Sequence, residues 1–228
     1  PHTTRRHVLV EPKITVKALD VSVAPNLTVG YIMGVGDEVP AALEQLGVKL
    51  SMITADELAW GDLSHYNVIM TGVRAYERRA DLRANNSRLL DYVQAGGTLI
   101  VQYNKFEFNQ AQYGPYPAKV SAERVTDEFA PVRTLDRDSP LFYTPNRVDD
   151  NTWKGWVQER GLYFPNAYSK GWKEVLAMSD KGEPELKSGI LIRQEGKGVL
   201  VYSPLAWFRQ LPAGVPGAYR LFANLMSL

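Results

Sequence analysis

Four apolar runs in the first half of the sequence constrain the fold most. They cover residues 27–33, 48–53, 66–72 and 98–103, and helix-forming stretches separate them. Nearly continuous apolar runs of this length are typical of strands that are buried on both faces of a parallel sheet. The strand–helix repeat therefore predicts a three-layer α/β domain, with a parallel sheet and helices on both of its faces. Its strands at 28–33, 67–71 and 98–103 should be parallel to one another.

The second half of the sequence is less regular. Residues 104–130 are polar and aromatic without clear periodicity, which predicts a functional or packed loop. Short strands are expected at 132–135, 175–178 and 188–193, a partly extended segment at 153–164, a hairpin turn at 196–198 and a closing helix at 217–228. We therefore expect an α/β domain over residues 27–228 with an irregular, β-rich second half. Residues 1–26 are expected to be a lead-in or linker from a preceding β segment of a longer chain.

Composition excludes several classes of function. Lysine and arginine number 26 against 25 acidic residues, so a net charge of +1 gives no overall attraction to nucleic acids or anionic membranes. No apolar run approaches the ~20 residues of a membrane helix. The chain has no cysteine and only three histidines, two of them within the first ten residues. We expect no transition metal and no cofactor, and the cellular compartment stays open.

Polar side chains follow the third and fourth predicted strands. Because the carboxyl ends of parallel strands meet at one edge of a sheet, these side chains are expected to share a pocket. Strand alternation places Gln102 and Asn104 on the same side, and the turn containing Tyr113 and Tyr116 is expected to cover the pocket as a lid. Amide groups both donate and accept hydrogen bonds, which suits sugars. The ligand-binding candidates at this edge are Arg74, Tyr76, Gln102, Asn104, Lys105, Glu107, Asn109 and Tyr113.

A structural alternative applies to the same residues. The amides can instead satisfy the backbone of the long loop that follows, and the charged run at 74–86 can be a solvated network of ion pairs. The glycine turn at 34–36 offers backbone N–H groups to an anion, but Asp37 brings negative charge there and favours a plain turn.

Trp156, Gln158 and Arg160 form a second group of ligand-binding candidates. Alternation along an extended segment would place Gln158 and Arg160 on one face, with Glu159 on the other. The competing interpretation is structural. In it, Glu159 forms a buried ion pair with an arginine and fastens the second half of the chain to the sheet.

Several strings of the sequence resemble a known family. They are VGYIMGVGDEVP at 29–40, TGVRAY at 71–76, GGTLIVQYNK at 96–105, WKGWVQERGLYF at 153–164 and RQLPAG at 209–214. Together they resemble the class I glutamine-amidotransferase-like superfamily of flavodoxin-like domains. Within it, the chain looks most like the domain at the C-terminal end of some bacterial deacetylases of the PIG-L (LmbE-like) family. The resemblance covers roughly residues 27–228.

The resemblance implies a fold and a context, but it transfers no catalytic residue. The amidotransferase nucleophile is a cysteine that would lie near Tyr103 or Asn104, and this chain has none. The His-Pro-Asp-Asp motif of the zinc deacetylase domain is also absent. We therefore expect a non-catalytic accessory domain of a carbohydrate deacetylase, which binds a small polar ligand such as a sugar and has the deacetylase domain upstream in the same polypeptide.

Two alternatives to this expectation stay open. One is a cysteine-independent hydrolase that acts at the same edge, with Arg74, Lys105 and Glu107 as its reacting groups. The other is a purely structural domain that mediates assembly into a homo-oligomer.

Overall fold

An eight-stranded sheet forms the centre of the computed structural model, which describes residues 7–13, 16–111 and 118–228. The strands of the chain are β1 (Thr28–Ile32), β2 (Lys49–Met52), β3 (Val68–Thr71), β4 (Thr98–Gln102), β5 (Ala118–Val120), β6 (Arg124–Val125), β7 (Val132–Thr134), β8 (Gly161–Leu162), β9 (Pro165–Tyr168), β10 (Lys173–Met178), β11 (Leu186–Glu195) and β12 (Gly198–Ser203). The order in the sheet is β2-β1-β3-β4-β12-β11-β10-β7, while β5 pairs with β9 and β6 pairs with β8.

The five strands from β2 to β12 are parallel, and their order is that of a flavodoxin-like domain. The prediction that 28–33, 67–71 and 98–103 lie parallel is confirmed, since β3 pairs in parallel with both β1 and β4. The remaining strands, β11, β10 and β7, extend the sheet in antiparallel fashion.

Helices cover both faces of the sheet. They are α1 (Val39–Gln45), α2 (Ala55–Trp60), α3 (Ala75–Arg78), α4 (Ala80–Ala84), α5 (Asn86–Ala95), α6 (Glu107–Ala111), α7 (Trp207–Gln210) and α8 (Pro216–Leu225). Apolar residues of α1 and α8 join one buried cluster with Tyr31 and Met70, and those of α2, α4 and α5 join a second cluster with Ile32 and Ile69. Successive strand residues point to opposite faces, so the two clusters are the two interfaces of a three-layer domain, as predicted.

The irregular second half follows the sequence prediction in part. The hairpin at 196–198 joins β11 to β12, and β7 is an edge strand that pairs with β10. Two short 3-10 helices, Pro140–Phe142 and Asp150–Trp153, lie between β7 and β8 along the chain. The stretch 153–164, expected to be partly extended, contains only the two-residue strand β8.

The lead-in forms no strand over its described residues 7–13 and 16–24. It lies against the domain through polar contacts: Lys17 Nζ donates to Ala213 O at 2.7 Å, and Arg220 Nε donates to Asp20 O at 3.0 Å. No helix within the described part of the chain has the length and apolar character to cross a membrane.

Candidate functional site

The carboxyl ends of β1, β3, β4 and β12 meet at one edge of the sheet, where a flavodoxin-like domain holds its ligand between the first and third strands. Here protein atoms close that crevice. Val35 N donates to Val73 O at 3.0 Å, and Val73 N donates to Asp37 Oδ2 at 3.1 Å. A Cβ on Gly34 would lie 1.9 Å from Val73 O. The glycine turn therefore packs directly against the loop after β3 and acts as a plain turn.

Gln102 belongs to the interior of this edge. Its Nε2 donates to the hydroxyl of Tyr31 at 3.0 Å, and that hydroxyl donates to Asp37 Oδ1 at 2.7 Å. The chain of bonds passes over Gly72, whose missing side chain leaves the necessary room. Burial, together with the Asp37 carboxylate, raises the pKa of Tyr31 well above its usual value, so the phenol stays protonated.

Asn104 lies on the opposite side of the sheet from Gln102. Its Oδ1 accepts from Tyr76 N at 3.1 Å, and its own backbone N–H donates to the hydroxyl of Tyr202 at 3.2 Å. The prediction that Gln102 and Asn104 share a side is wrong, because β4 ends at Gln102 and alternation holds only within a strand. Tyr76 is also internal: its hydroxyl donates to Asn86 Oδ1 at 2.7 Å.

Asn109 serves the backbone of the loop that follows it. Its Oδ1 accepts from Val120 N at 2.8 Å and its Nδ2 donates to Val120 O at 3.2 Å, so the amide acts as a strand partner for β5. Asn109 thus satisfies the backbone of the loop that follows, as the structural alternative predicts, whereas Asn104 satisfies main-chain groups of Tyr76 and Gln102. Tyr113, with the proposed lid around it, lies outside the described residues.

An aromatic surface remains open at the carboxyl edge. We call it the shelf and define it as Tyr103, Phe106, Tyr163 and Phe208. The ring of Tyr103 lies 5.5 Å from that of Tyr163 and 6.0 Å from that of Phe208, and Phe106 meets Tyr163 edge-on at 5.6 Å. Phe106 is 49% exposed, whereas Tyr103 is largely buried beneath its neighbours. The shelf therefore presents ring surface to solvent on a packed base.

Charged groups surround the shelf. Arg74 and Glu77 form a bidentate ion pair, in which Arg74 Nε lies 2.6 Å from Glu77 Oε2. On the other side Arg209 Nε lies 2.6 Å from Glu159 Oε1, and Lys105 Nζ lies 6.0 Å from the centre of the Tyr163 ring. Arg74 lowers the pKa of Glu77 by hydrogen bonding, so this carboxylate is ionised at neutral pH.

Glu107 differs from these paired groups. Its Oε2 is buried and has no hydrogen-bond partner among the residues that the structure describes. It adjoins the shelf through its neighbour Phe106. No three histidine, cysteine or acidic side chains gather into a possible metal site within the described ranges.

Unusual backbone conformations cluster near the shelf. Arg74, Gln158 and Tyr163 adopt left-handed φ angles of 55°, 70° and 56°. For a bulky residue such as tyrosine this conformation is uncommon and costly, and it persists where the surroundings fix it. At Tyr163 it accompanies a ring that packs between Tyr103 and Phe106.

The second sequence cluster separates in the structure. Trp156 is buried and its Nε1 donates to Thr152 O at 2.9 Å, whereas Gln158 is exposed and Arg160 is buried. The expectation that Gln158 and Arg160 share a face is wrong, because this stretch is a turn and not a strand. The expected pair of Glu159 with an arginine is confirmed, and its partner is Arg209.

Sequence reasoning pointed to this edge, but none of the four shelf rings was among its ligand candidates: Tyr103, Phe106, Tyr163 and Phe208. Phe208 follows β12, so its place after a parallel strand was the available signal. The position of Tyr163 depends on packing between distant segments, and no local pattern reports it.

Comparisons with known proteins support the fold. Neither family models nor curated proteins match the sequence. Among solved structures, Cytoplasmic Protein STM3548 from Salmonella typhimurium matches with a TM-score of 0.55 at 14% identity, over 88% of this chain and 98% of that one. Cytoplasmic Protein STM1381 from Salmonella typhimurium LT2 gives 0.50 at 13% identity, over the same shares of the two chains.

Glycoside hydrolases are among the more distant neighbours. The β-galactosidase from Rahnella sp. R3 matches with a TM-score of 0.47 at 16% identity, over 88% of this chain and 31% of that one. That match spans about a third of the enzyme's chain. All of these likenesses, at such low identity, concern the fold alone.

Proposed function

We propose that the chain is a non-catalytic domain that binds a sugar at the shelf. The observation that supports this most is the shelf itself, in which partly exposed rings lie beside two arginine–carboxylate pairs and a lysine. A sugar ring has an apolar face that packs on an aromatic ring, and its hydroxyls donate to carboxylates and accept from cationic groups. Both kinds of group are present side by side.

The pairing of the charged groups favours binding over catalysis. A general acid must hold a proton at working pH, but Glu77 is held ionised by Arg74. Glu159 forms an ion pair with Arg209. The chain also has no cysteine to serve as a nucleophile. Under this proposal the ion pairs position hydroxyl groups and leave the covalent bonds of the sugar unchanged.

The resemblance to the PIG-L family supplies a context for the proposal. We infer that the domain accompanies a carbohydrate deacetylase in the same polypeptide and presents or retains its acylated sugar. Sequencing the full reading frame tests this inference. A His-Pro-Asp-Asp domain upstream supports it, and a frame that ends without one contradicts the deacetylase context while leaving sugar binding to its own test.

The binding test uses N-acetylglucosamine and its β-1,4-linked disaccharide, titrated calorimetrically into the protein. We expect saturable binding that Phe106→Ala weakens at least tenfold, because this ring supplies exposed apolar surface. Trp60→Ala is the matched control, since Trp60 is 86% exposed on α2, away from the carboxyl edge, and its loss should leave affinity unchanged.

Three results would contradict the proposal. Equal binding by wild type and Phe106→Ala would place the site elsewhere. Acetate or free sugar released in proportion to protein concentration would favour the hydrolase alternative, with Glu107→Gln as the variant that should then lose turnover. Absence of binding, together with a stable dimer in sedimentation, would favour the structural domain.

A further inference from the structure

A second cleft lies outside the shelf, beside the edge strand β7. It encloses about 550 Å³ between the segment at 129–132 and the turn at 153–155, with Arg160 among its lining residues. This volume lies within the range of small-molecule binding sites, and a single sugar ring fits inside it. Two aromatic residues line it: Phe129, which is 79% exposed, and Trp153, which is half-buried.

Arg160 brings a positive charge to this cleft without an acidic partner. The residue is only 3% exposed. Its Nε and Nη2 donate to Ala130 O at 3.1 and 2.9 Å, and its Nη1 donates to Trp153 O at 2.9 Å. A guanidinium carries five N–H donors, so these three bonds leave two uncommitted. No ion pair within 4.0 Å joins Arg160 to any acidic side chain in the described part of the chain.

Asp127 and Glu128 are the acidic groups that act on the Arg160 charge, and both carboxylates also accept from the backbone. Asp127 Oδ1 accepts from Phe129 N at 2.8 Å, and Glu128 Oε2 accepts from Gln158 N at 2.5 Å. Burial lowers the pKa of Arg160 to about 10, which leaves the guanidinium charged at neutral pH. The charges of Asp127 and Glu128 offset part of the cost of burying this guanidinium, but neither carboxylate lies within ion-pair distance of it. An anionic group in the cleft that accepted directly from the free N–H groups would offset more of that cost.

The surroundings of the guanidinium also limit what can bind there. Its carbon lies 5.8 Å from the centre of the Trp153 ring and 5.4 Å from that of Trp156, so the aromatic rings hold it in place. Asp150 and Lys154, one of each sign, line the cleft as well. A ligand that fits has one carboxylate for the guanidinium, a ring for Phe129 and Trp153, and hydroxyls for Asp150 and Lys154.

We propose that this cleft binds a sugar ring that carries a carboxylate, of the uronic acid class. The guanidinium takes the carboxylate through a charge-assisted hydrogen bond, and the aromatic walls take the ring. The proposal rests on Arg160 and the cleft alone, so it holds or fails independently of sugar binding at the shelf.

The test compares D-glucuronate with D-glucose, each titrated into the full chain and followed by protein NMR. We expect saturable glucuronate binding, at least tenfold stronger than glucose binding, that weakens as salt is added. Phe129→Ala should weaken glucuronate binding at least fivefold without loss of folding, because the ring is exposed. Arg160→Lys should abolish the preference for glucuronate over glucose.

Controls separate this cleft from the shelf. Trp60→Ala should leave glucuronate binding unchanged, and in Phe106→Ala the glucuronate-dependent signals of the cleft residues Phe129 and Trp153 should titrate with unchanged affinity. Equal affinity for glucose and glucuronate, no saturation by glucuronate, or loss of binding in Phe106→Ala but not in Phe129→Ala would each overturn the proposal. If Arg160→Lys does not fold, the Phe129→Ala and Phe106→Ala pair still decides the outcome.

Discussion

The parallel strands and the loop-rich segments satisfy their backbones by different means. In β1, β3 and β4 the main chain is paired along the sheet, and most of the side chains are apolar. In the segments around β7 and β8, buried polar side chains take this role: Asn224 bonds the carbonyls of Leu141 and Asn146, and Gln210 bonds both main-chain groups of Val157. Buried amides in this protein are therefore structural unless they reach an open surface.

Alkaline pH should affect the parallel region most strongly. Burial raises the pKa of Tyr31, Tyr76, Tyr92 and Tyr202, which pack on its strands. Above pH 10 the unfolded chain releases these phenolic protons while the folded chain retains them, so stability is complete below pH 10 and falls as pH rises. Each such tyrosine contributes about 1.4 kcal/mol of destabilisation per pH unit.

Urea unfolding between pH 9 and pH 11.5 measures this dependence. Tyr202→Phe should make the fall of the unfolding free energy with pH less steep by about 1.4 kcal/mol per pH unit, the contribution of one phenolic proton. An unchanged slope would mean that Tyr202 is exposed to solvent in the folded protein.

Asn224→Ala should cause a large loss of stability, because this residue of α8 holds the loop-rich segment at 141–146. The side chain is fully buried and makes four hydrogen bonds at 2.7–2.9 Å to Leu141 and Asn146. Its removal leaves buried main-chain groups without partners, which should cost about 3 kcal/mol or more. Asn85→Ala is the matched control, because Asn85 is half-buried and makes one bond, to Asp81 O. Chemical denaturation of both variants should show at most about 1 kcal/mol for the control, and equal losses would contradict this view of the region.

Tyr163 permits a smaller test of the strained segment beside the shelf. At its φ of 56°, glycine is favoured over other residues. Tyr163→Gly should therefore be more stable than Tyr163→Ala by about 1 kcal/mol. At Phe208, inside helix α7, the order should reverse, with glycine less stable than alanine by about 1 kcal/mol. Thermal unfolding of the four variants checks both orders, and alanine more stable than glycine at both positions would show that Tyr163 is not strained.

The same contrast explains what the sequence could predict. The length of the apolar runs and the helices between them were enough to predict that β1, β3 and β4 are parallel, because each of these signals is local in the sequence. The roles of Gln102 and Asn104 could not be predicted, since β4 ends between them and their partners, Tyr31 and Tyr76, come from other elements. Arg209 as the partner of Glu159, 50 residues away along the chain, is another contact that only tertiary packing determines.

A map of chemical shifts tests sugar binding at the shelf. The protein, labelled with ¹⁵N and ¹³C, is titrated with the N-acetylglucosamine disaccharide and observed at backbone amides and aromatic side chains. We predict that the changes centre on Tyr103, Phe106, Tyr163 and Phe208, while the signals of the structural amides Asn109, Gln210 and Asn224 stay in place. Changes that centre on those amides, or no saturable change at any position, would contradict sugar binding at the shelf.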